Sequence, residues 1–424
     1  MPGLGVARPV ETRSFATRRP ADVGSVRGCM TPVATPTQLR HHAPRPALPA
    51  AHGPVQAPPK RPVDLSALHG LRIVLTLWLV VHHTTRWLLR DTGIDPDTVT
   101  LLRQGPGATT GFFILSGVVL TWRWSERLAA NPTIPQAADF LRRRWAAIWP
   151  LGAIAALIAV PYELVEDRLA PGEFVVGLVA NMALVQSWLP VGGGIHGMSL
   201  RFNGPTWTLS TLLALYAAFP AIVWAIEARV RTKGGVVALA VVPWLLVVGT
   251  AVAMRGEANG VWLMHVSPVT RIADFLAGVA IGTWLVRYGA PARRGAIAGQ
   301  LVGLVLIAFA VWSAVPWHLG REVRFGALFI PPFALLIACL TVRGGPVGGI
   351  LGTRAAQVAG KRAFAIAMLH TPLLGLGWHA GLVRLDRPAG TALVLGSSVG
   401  MAMLVHRYVE MPARSRLRVS SRRR

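Results

Sequence analysis

The chain is short of acids, lysines and cysteines. Two cysteines in 424 residues, Cys29 and Cys339, cannot build a disulfide framework or a metal–thiolate cluster. Only 18 residues are Asp or Glu, and all charged residues together make up 14% of the chain. A soluble domain carries about 25%. No Walker-type glycine loop is present, so ATP binding has no support, and no zinc signature occurs. The first 62 residues are rich in Pro, Ala and Arg and lack the apolar core of a signal peptide. They also lack apolar periodicity, so residues 1–62 are expected to be a disordered tail.

What the chain does have is apolar sequence, 53% of its residues, with a mean hydropathy of +0.48. Apolar runs of about 20 residues recur along it, the length needed to cross a bilayer. The expected fold class is therefore all-α and integral to the membrane, with a transmembrane domain over 63–412 and a basic cytoplasmic tail over 413–424. Predicted spans lie near 67–89, 107–123, 146–161, 206–226, 235–253, 270–286, 295–315, 325–341, 363–383 and 390–408. The run 174–189 is ambiguous between an eleventh span and a re-entrant or interfacial helix.

The net charge is +25. Its cations are divided among the loops between apolar spans, which argues against a nucleic-acid-binding domain. With ten crossings, one set of loops collects Arg123, Arg127, Arg142, Arg143 and Arg144, then Arg229, Arg231 and Lys233, then Arg287, Arg293 and Arg294, then Arg343, Arg354, Lys361 and Arg362. The other set holds fewer cations together with Glu163, Glu166, Asp167 and Glu173. Positive charge marks the cytoplasmic side. This predicts a multi-pass protein of the cell (inner) membrane with both termini cytoplasmic.

The first span reads ALHGLRIVLTLWLVVHH over 67–83. Arg72 and His83 are eleven residues apart, about 20° from a whole number of helical turns and roughly 16 Å along the axis. They share one face, and His82 points about 100° away. An ionisable group inside a span is costly and marks a functional site by default. Snorkelling of both groups to the interfaces is the structural alternative. A neutral imidazole lining a polar cavity is a competent general base.

Several phrases, taken in order, resemble the membrane-bound acyltransferase 3 family. The opening Arg72…His83 pair is the first. GFFILSGVVLTW (111–122), FLRRRWAAIWP (140–150) and PTWTLSTLLALYAAFP (205–220) follow. RIADFLAGVAIG (271–282), AFAIAMLHTPLL (363–374) and YVEMP (408–412) complete the series. The chain departs from the family at Leu212, where a glutamate is usual, at Ala147 in place of an arginine, and at Phe364 and Ala367 in place of tyrosines. The resemblance implies transfer of an acyl group, commonly acetyl, from acyl-CoA to a hydroxyl of a carbohydrate or glycosylated product, with no metal. It implies His83 as the base and Arg72 as charge support or a phosphate ligand.

Arg142, Arg143 and Arg144 would hold the phosphates of coenzyme A, or serve only as positive-inside residues. Arg271, His370, Trp207, Tyr216 and Glu410 are candidates for the substrate pocket. Each has a structural alternative: a salt bridge of Arg271 with Asp274, helix packing for His370, interfacial belt positions for Trp207 and Tyr216, and ion pairing for Glu410. Two rival readings remain open, a small-metabolite transporter or exporter and a non-catalytic family member. The chain shows no matched inverted repeat of the kind many transporters carry.

Overall fold

The computed structural model describes residues 60–89, 92–166, 169–188, 190 and 197–413. Nearly all of the expected N-terminal tail and C-terminal basic tail lies outside these residues. At its C-terminal edge the tail is docked: Lys60 Nζ donates to the Val286 carbonyl at 2.8 Å, and Arg61 pairs with Gly289.

The protein is an all-α membrane protein; the described residues contain no strand beyond that isolated bridge. The helices are α1 (Ser66–Leu88), α2 (Pro96–Leu102), α3 (Pro106–Ala130), α4 (Ile134–Glu166), α5 (Pro171–Ala183), α6 (Trp207–Arg229) and α7 (Lys233–Ala253). They continue as α8 (Pro268–Tyr288), α9 (Arg293–Ser313), α10 (Arg321–Gly326), α11 (Ile330–Cys339), α12 (Pro346–Leu351), α13 (Arg354–His379) and α14 (Pro388–Val405). Helix occupies most of each predicted segment, with a break between Gly326 and Ile330 in 325–341 and an early end at His379 in 363–383. Among the described residues, seven helical stretches are long and apolar enough to cross a membrane. Outside that set lie α1, α3 and α13, at 23, 25 and 26 residues. These three carry polar side chains into the interior.

The ambiguous run 174–189 forms only a short helix. α5 has 13 residues, about 20 Å at 1.5 Å per residue, too short for a hydrocarbon core of about 30 Å. It starts where Glu173 reaches back to the Ala170 N–H at 3.1 Å. It stops at Leu184, whose left-handed backbone (φ 56°) breaks the helix.

The helices sort by burial. Of the spanning windows, those in the stretches Gly204–Arg229 and Trp262–Tyr288 are 61% and 67% buried, whereas that in Lys233–Ala253 is 17% buried. α6 and α8 are therefore the centre, and α7 and α9 present Leu246 and Val305 outward as a lipid-facing surface. α3 crosses α8 through Gly117, Gly278 and Gly282, where a Cβ would overlap Phe275, Ile114 and Thr121. Small residues spaced by four let membrane helices approach backbone to backbone. We expect Gly278→Ala to cost about 1–3 kcal/mol, read as a lower melting midpoint of the solubilised protein. Gly396→Ala on α14, where a Cβ meets nothing within 4 Å, should leave the midpoint unchanged.

α1 and α13 run parallel and in register. Thr76 Oγ1 donates to the Ala363 carbonyl at 3.2 Å, and the His83 and His370 rings meet at 2.9 Å; both pairs have the same sequence separation of 287. A constant offset is the mark of parallel helices, and the bulk of a side chain at Gly360 would strike the His69 carbonyl. This register is what delivers His370 to His83.

Candidate active site

Two polar clusters occupy opposite ends of the bundle. At the end where α1 and α4 finish and α3, α6 and α8 begin, a cavity of about 450 Å³ opens. Its wall includes His82, His83, Trp207, His265 and Thr371. Cavities of this size take small molecules.

His83 sits on the last turns of α1, and its Nδ1 lies 2.9 Å from His370 Nε2. The tautomers follow from partners. His370 Nδ1 is 3.0 Å from the Ile366 carbonyl, which only accepts, so Nδ1 carries the proton. His370 Nε2 is then the acceptor, for Thr371 Oγ1 at 3.2 Å and for His83 Nδ1–H. That leaves Nε2 of His83 as the basic atom of the ring. His370 is buried and does not line the cavity. Its place is behind His83, fixing ring orientation and tautomer.

A second histidine reaches the cavity from α8. Ser267 caps α8 by accepting from the Val269 N–H at 3.3 Å, and Pro268 opens the helix. A single π-turn, Trp262–Val266, precedes the cap and carries His265. Arg271, one turn into α8, folds back over the cap. Its Nε donates to the His265 carbonyl at 2.9 Å, and its Nη2 lies 3.4 Å from His265 Nδ1. A guanidinium only donates, so His265 Nδ1 accepts and Nε2 bears the hydrogen.

The remaining Arg271 donors go to Thr109 at 2.9 Å and to Thr110 and Asp274 at 3.3 Å. Phe113 and Trp207 face its guanidinium at 5.6 and 5.8 Å. Arg271 is fully buried and does not line the cavity; it holds His265 and Trp207.

The other cluster lies where α1 and α4 begin. Arg144 precedes Glu163 by 19 residues on α4, so the two ends are roughly 28 Å apart. Tyr216 is buried on α6, its surroundings including Ser116, Arg144 and Arg72. Arg144 also packs on the Trp124 and Phe140 rings at 5.7 and 6.0 Å. Arg142 and Arg143 both pair with Asp139, at 2.9 and 2.6 Å. Glu410 pairs with His406 at 3.0 Å.

Of the residues expected from the sequence, His83 and Trp207 line the cavity, and His370 pairs with His83 behind it. Arg72, Arg144 and Tyr216 lie toward the opposite end. Arg72 does not line the cavity that holds His83. His265 was not legible in the sequence, because only the π-turn and the backward reach of Arg271 place it. No group of three or more His, Cys, Asp or Glu side chains suited to a metal occurs among the described residues.

Comparison with known proteins adds a family to this geometry. The chain is 29% identical to Acyltransferase MdmB of Streptomyces mycarofaciens, over 86% of this chain and 95% of that protein. It is 21% identical to Nose resistant to fluoxetine protein 6 of Caenorhabditis elegans, over 73% of this chain and 45% of that longer protein. No solved structure matches. A family model described as an acyltransferase domain matches residues 65–407, from the first turn of α1 to the π-turn after α14, and the chain belongs to that acyltransferase 3 family.

Proposed function

We propose that the protein is an integral-membrane O-acyltransferase. It moves an acyl group, acetyl in the simplest case, from acyl-CoA to a hydroxyl of a carbohydrate or glycosylated product. The single observation carrying this reading is His83 on the wall of a polar cavity, paired from behind by His370, in a chain of this family.

The chemistry needs a base, because an alcohol is scarcely ionised near neutral pH. In this reading the acceptor oxygen attacks the thioester carbonyl carbon while His83 Nε2 takes its proton. His370 Nε2 holds the Nδ1–H of the imidazolium that forms. Negative charge collects on the former carbonyl oxygen, and the His265 Nε2–H is the donor offered to it. Collapse breaks the C–S bond, and His83 returns the proton to the departing thiolate.

The donor's phosphates are assigned to the cationic end, at Arg72 and Arg144 beside Tyr216. Arg143 and Arg142 stand next to them on α4. From Arg72 to His83 is roughly 16 Å, which an extended pantetheine arm covers. With the cation-rich loops inside, this end faces the cytosol, where acyl-CoA is made, and the cavity faces outward.

The test uses purified protein, acetyl-CoA labelled in the acetyl group, and a panel of sugars and glycosylated alcohols. Label is expected to move onto a hydroxyl, with one thiol released per ester formed. His265→Phe should slow transfer by about 10²–10³-fold at unchanged donor affinity. Wild-type protein that neither binds acyl-CoA nor releases thiol from it would overturn the proposal.

A further inference from the structure

The cavity has a charge pattern that acyl transfer to a neutral hydroxyl does not require. Its wall contains Arg86, Arg103, Arg201, Arg321 and Arg324, against Glu163 and Glu166. Both carboxylates are already engaged. Glu163 accepts from Arg201 at 3.4 Å and from the Phe202 N–H at 3.1 Å. Glu166 meets His379 at 2.9 Å. The other four arginines share the same cavity wall.

Arg321 and Arg324 are neighbours on one face of α10. Burial, with the fields of Arg86 and Arg321, lowers the Arg103 guanidinium from its ordinary value. Arg103 donates to the Thr85 carbonyl at 3.4 Å, but its Nε is buried and unpartnered, as is that of Arg324. Arg86 and Arg324 lie over the rings of Trp87 and Phe325 at 5.6 and 5.4 Å. Among the described residues no carboxylate reaches ion-pair distance of these four guanidiniums. Like charges drawn together around a cavity repel until an anion occupies it, and guanidinium forks match phosphate oxygens.

We propose that this end of the cavity seats a phosphate or diphosphate group carried by the acceptor, held by Arg86, Arg103, Arg321 and Arg324. This rests on the reading of the cavity as the site of acyl transfer. The acceptor is then a phosphorylated hydroxyl compound, such as a sugar phosphate, a nucleotide sugar or a lipid-linked sugar diphosphate. It enters from the end opposite Arg72 and Arg144. Its hydroxyl extends toward His83 while its phosphate stays among the arginines.

The test is calorimetric binding of inorganic pyrophosphate to the full chain in phosphatidylcholine nanodiscs. Wild type should bind it, and more weakly as salt is raised. Arg103→Gln and Arg324→Gln should each weaken binding about tenfold, with Arg103→Lys between. The salt series on wild type keeps the test valid if a variant does not fold. Coenzyme A binding should be unchanged in both Gln variants.

Three results would overturn the assignment: no pyrophosphate binding by wild type, binding indifferent to Arg103→Gln and Arg324→Gln, or loss of coenzyme A binding in those variants. The last would give the phosphate site to the donor. Loss of pyrophosphate binding on adding phosphatidylglycerol would give it to a lipid headgroup and overturn it too. His83→Ala should bind pyrophosphate normally. Wild type that binds pyrophosphate here yet transfers no acyl group would therefore sink the transferase reading while leaving the anion site standing.

Discussion

His83→Ala is expected to lower acyl transfer by about 10²–10⁴-fold, the contribution of a positioned general base, while acyl-CoA still binds and the protein still reaches the membrane. The reason is stereochemical as well as chemical. The ring is held at Nδ1 by His370, which leaves one basic nitrogen. Its partner can be tested separately as a positioning residue. His370→Ala removes the acceptor that fixes the tautomer, so kcat should fall with little change in KM. His370→Gln supplies an amide oxygen that can accept the same hydrogen and should recover part of the loss. Full turnover by His83→Ala would remove His83 from the mechanism. Equal losses in His370→Ala and His370→Gln would reduce His370 to a packing residue.

The second large effect is on stability. Arg271→Ala is expected to cost about 3–5 kcal/mol, the usual cost of breaking a buried ion pair from one side. The guanidinium is fully buried, and Asp274 beside it is fully buried as well. Its removal strands that carboxylate, takes a donor from Thr109, and releases the His265 carbonyl and ring. The measurement is the melting midpoint and monodispersity of the solubilised variant. Replacing both partners by apolar residues, Arg271→Met with Asp274→Leu, should restore much of the stability. It should not restore activity, because His265 stays unheld. A stable Arg271→Ala protein would show that this network contributes little to the fold.

The helices were legible because the bilayer imposes a length. Runs such as 235–253 and 295–315 have no other reading, and α7 and α9 match them closely. α5 was ambiguous because its apolar run exceeds the helix it forms; the left-handed Leu184 that stops it is not a signal carried by leucine. His83 was legible from its spacing to Arg72, since periodicity on one helix is a local property. Its partner was not legible in that way, because His370 is 287 residues away and meets it only through the parallel register of α1 and α13.

That spacing also suggested one shared interior for Arg72 and His83. In the fold His83 lines the cavity and Arg72 does not. The cavity arginines were hidden for a related reason. Arg86, Arg103, Arg321 and Arg324 come from three separate segments and read singly as interfacial cations. Only their convergence gives them meaning.

Proton transfer at His83 requires position 83 to face water from the cavity side. A chain carrying Cys29→Ser, Cys339→Ser and His83→Cys tests this without knowledge of any substrate. The reagent is a membrane-impermeant, negatively charged thiosulfonate, applied to sealed vesicles from either face. Modification at position 83 is expected from the outward face, slowed by added salt. The contrary result is an inert thiol at 83 while Arg384→Cys, an exposed control on the same face, reacts readily.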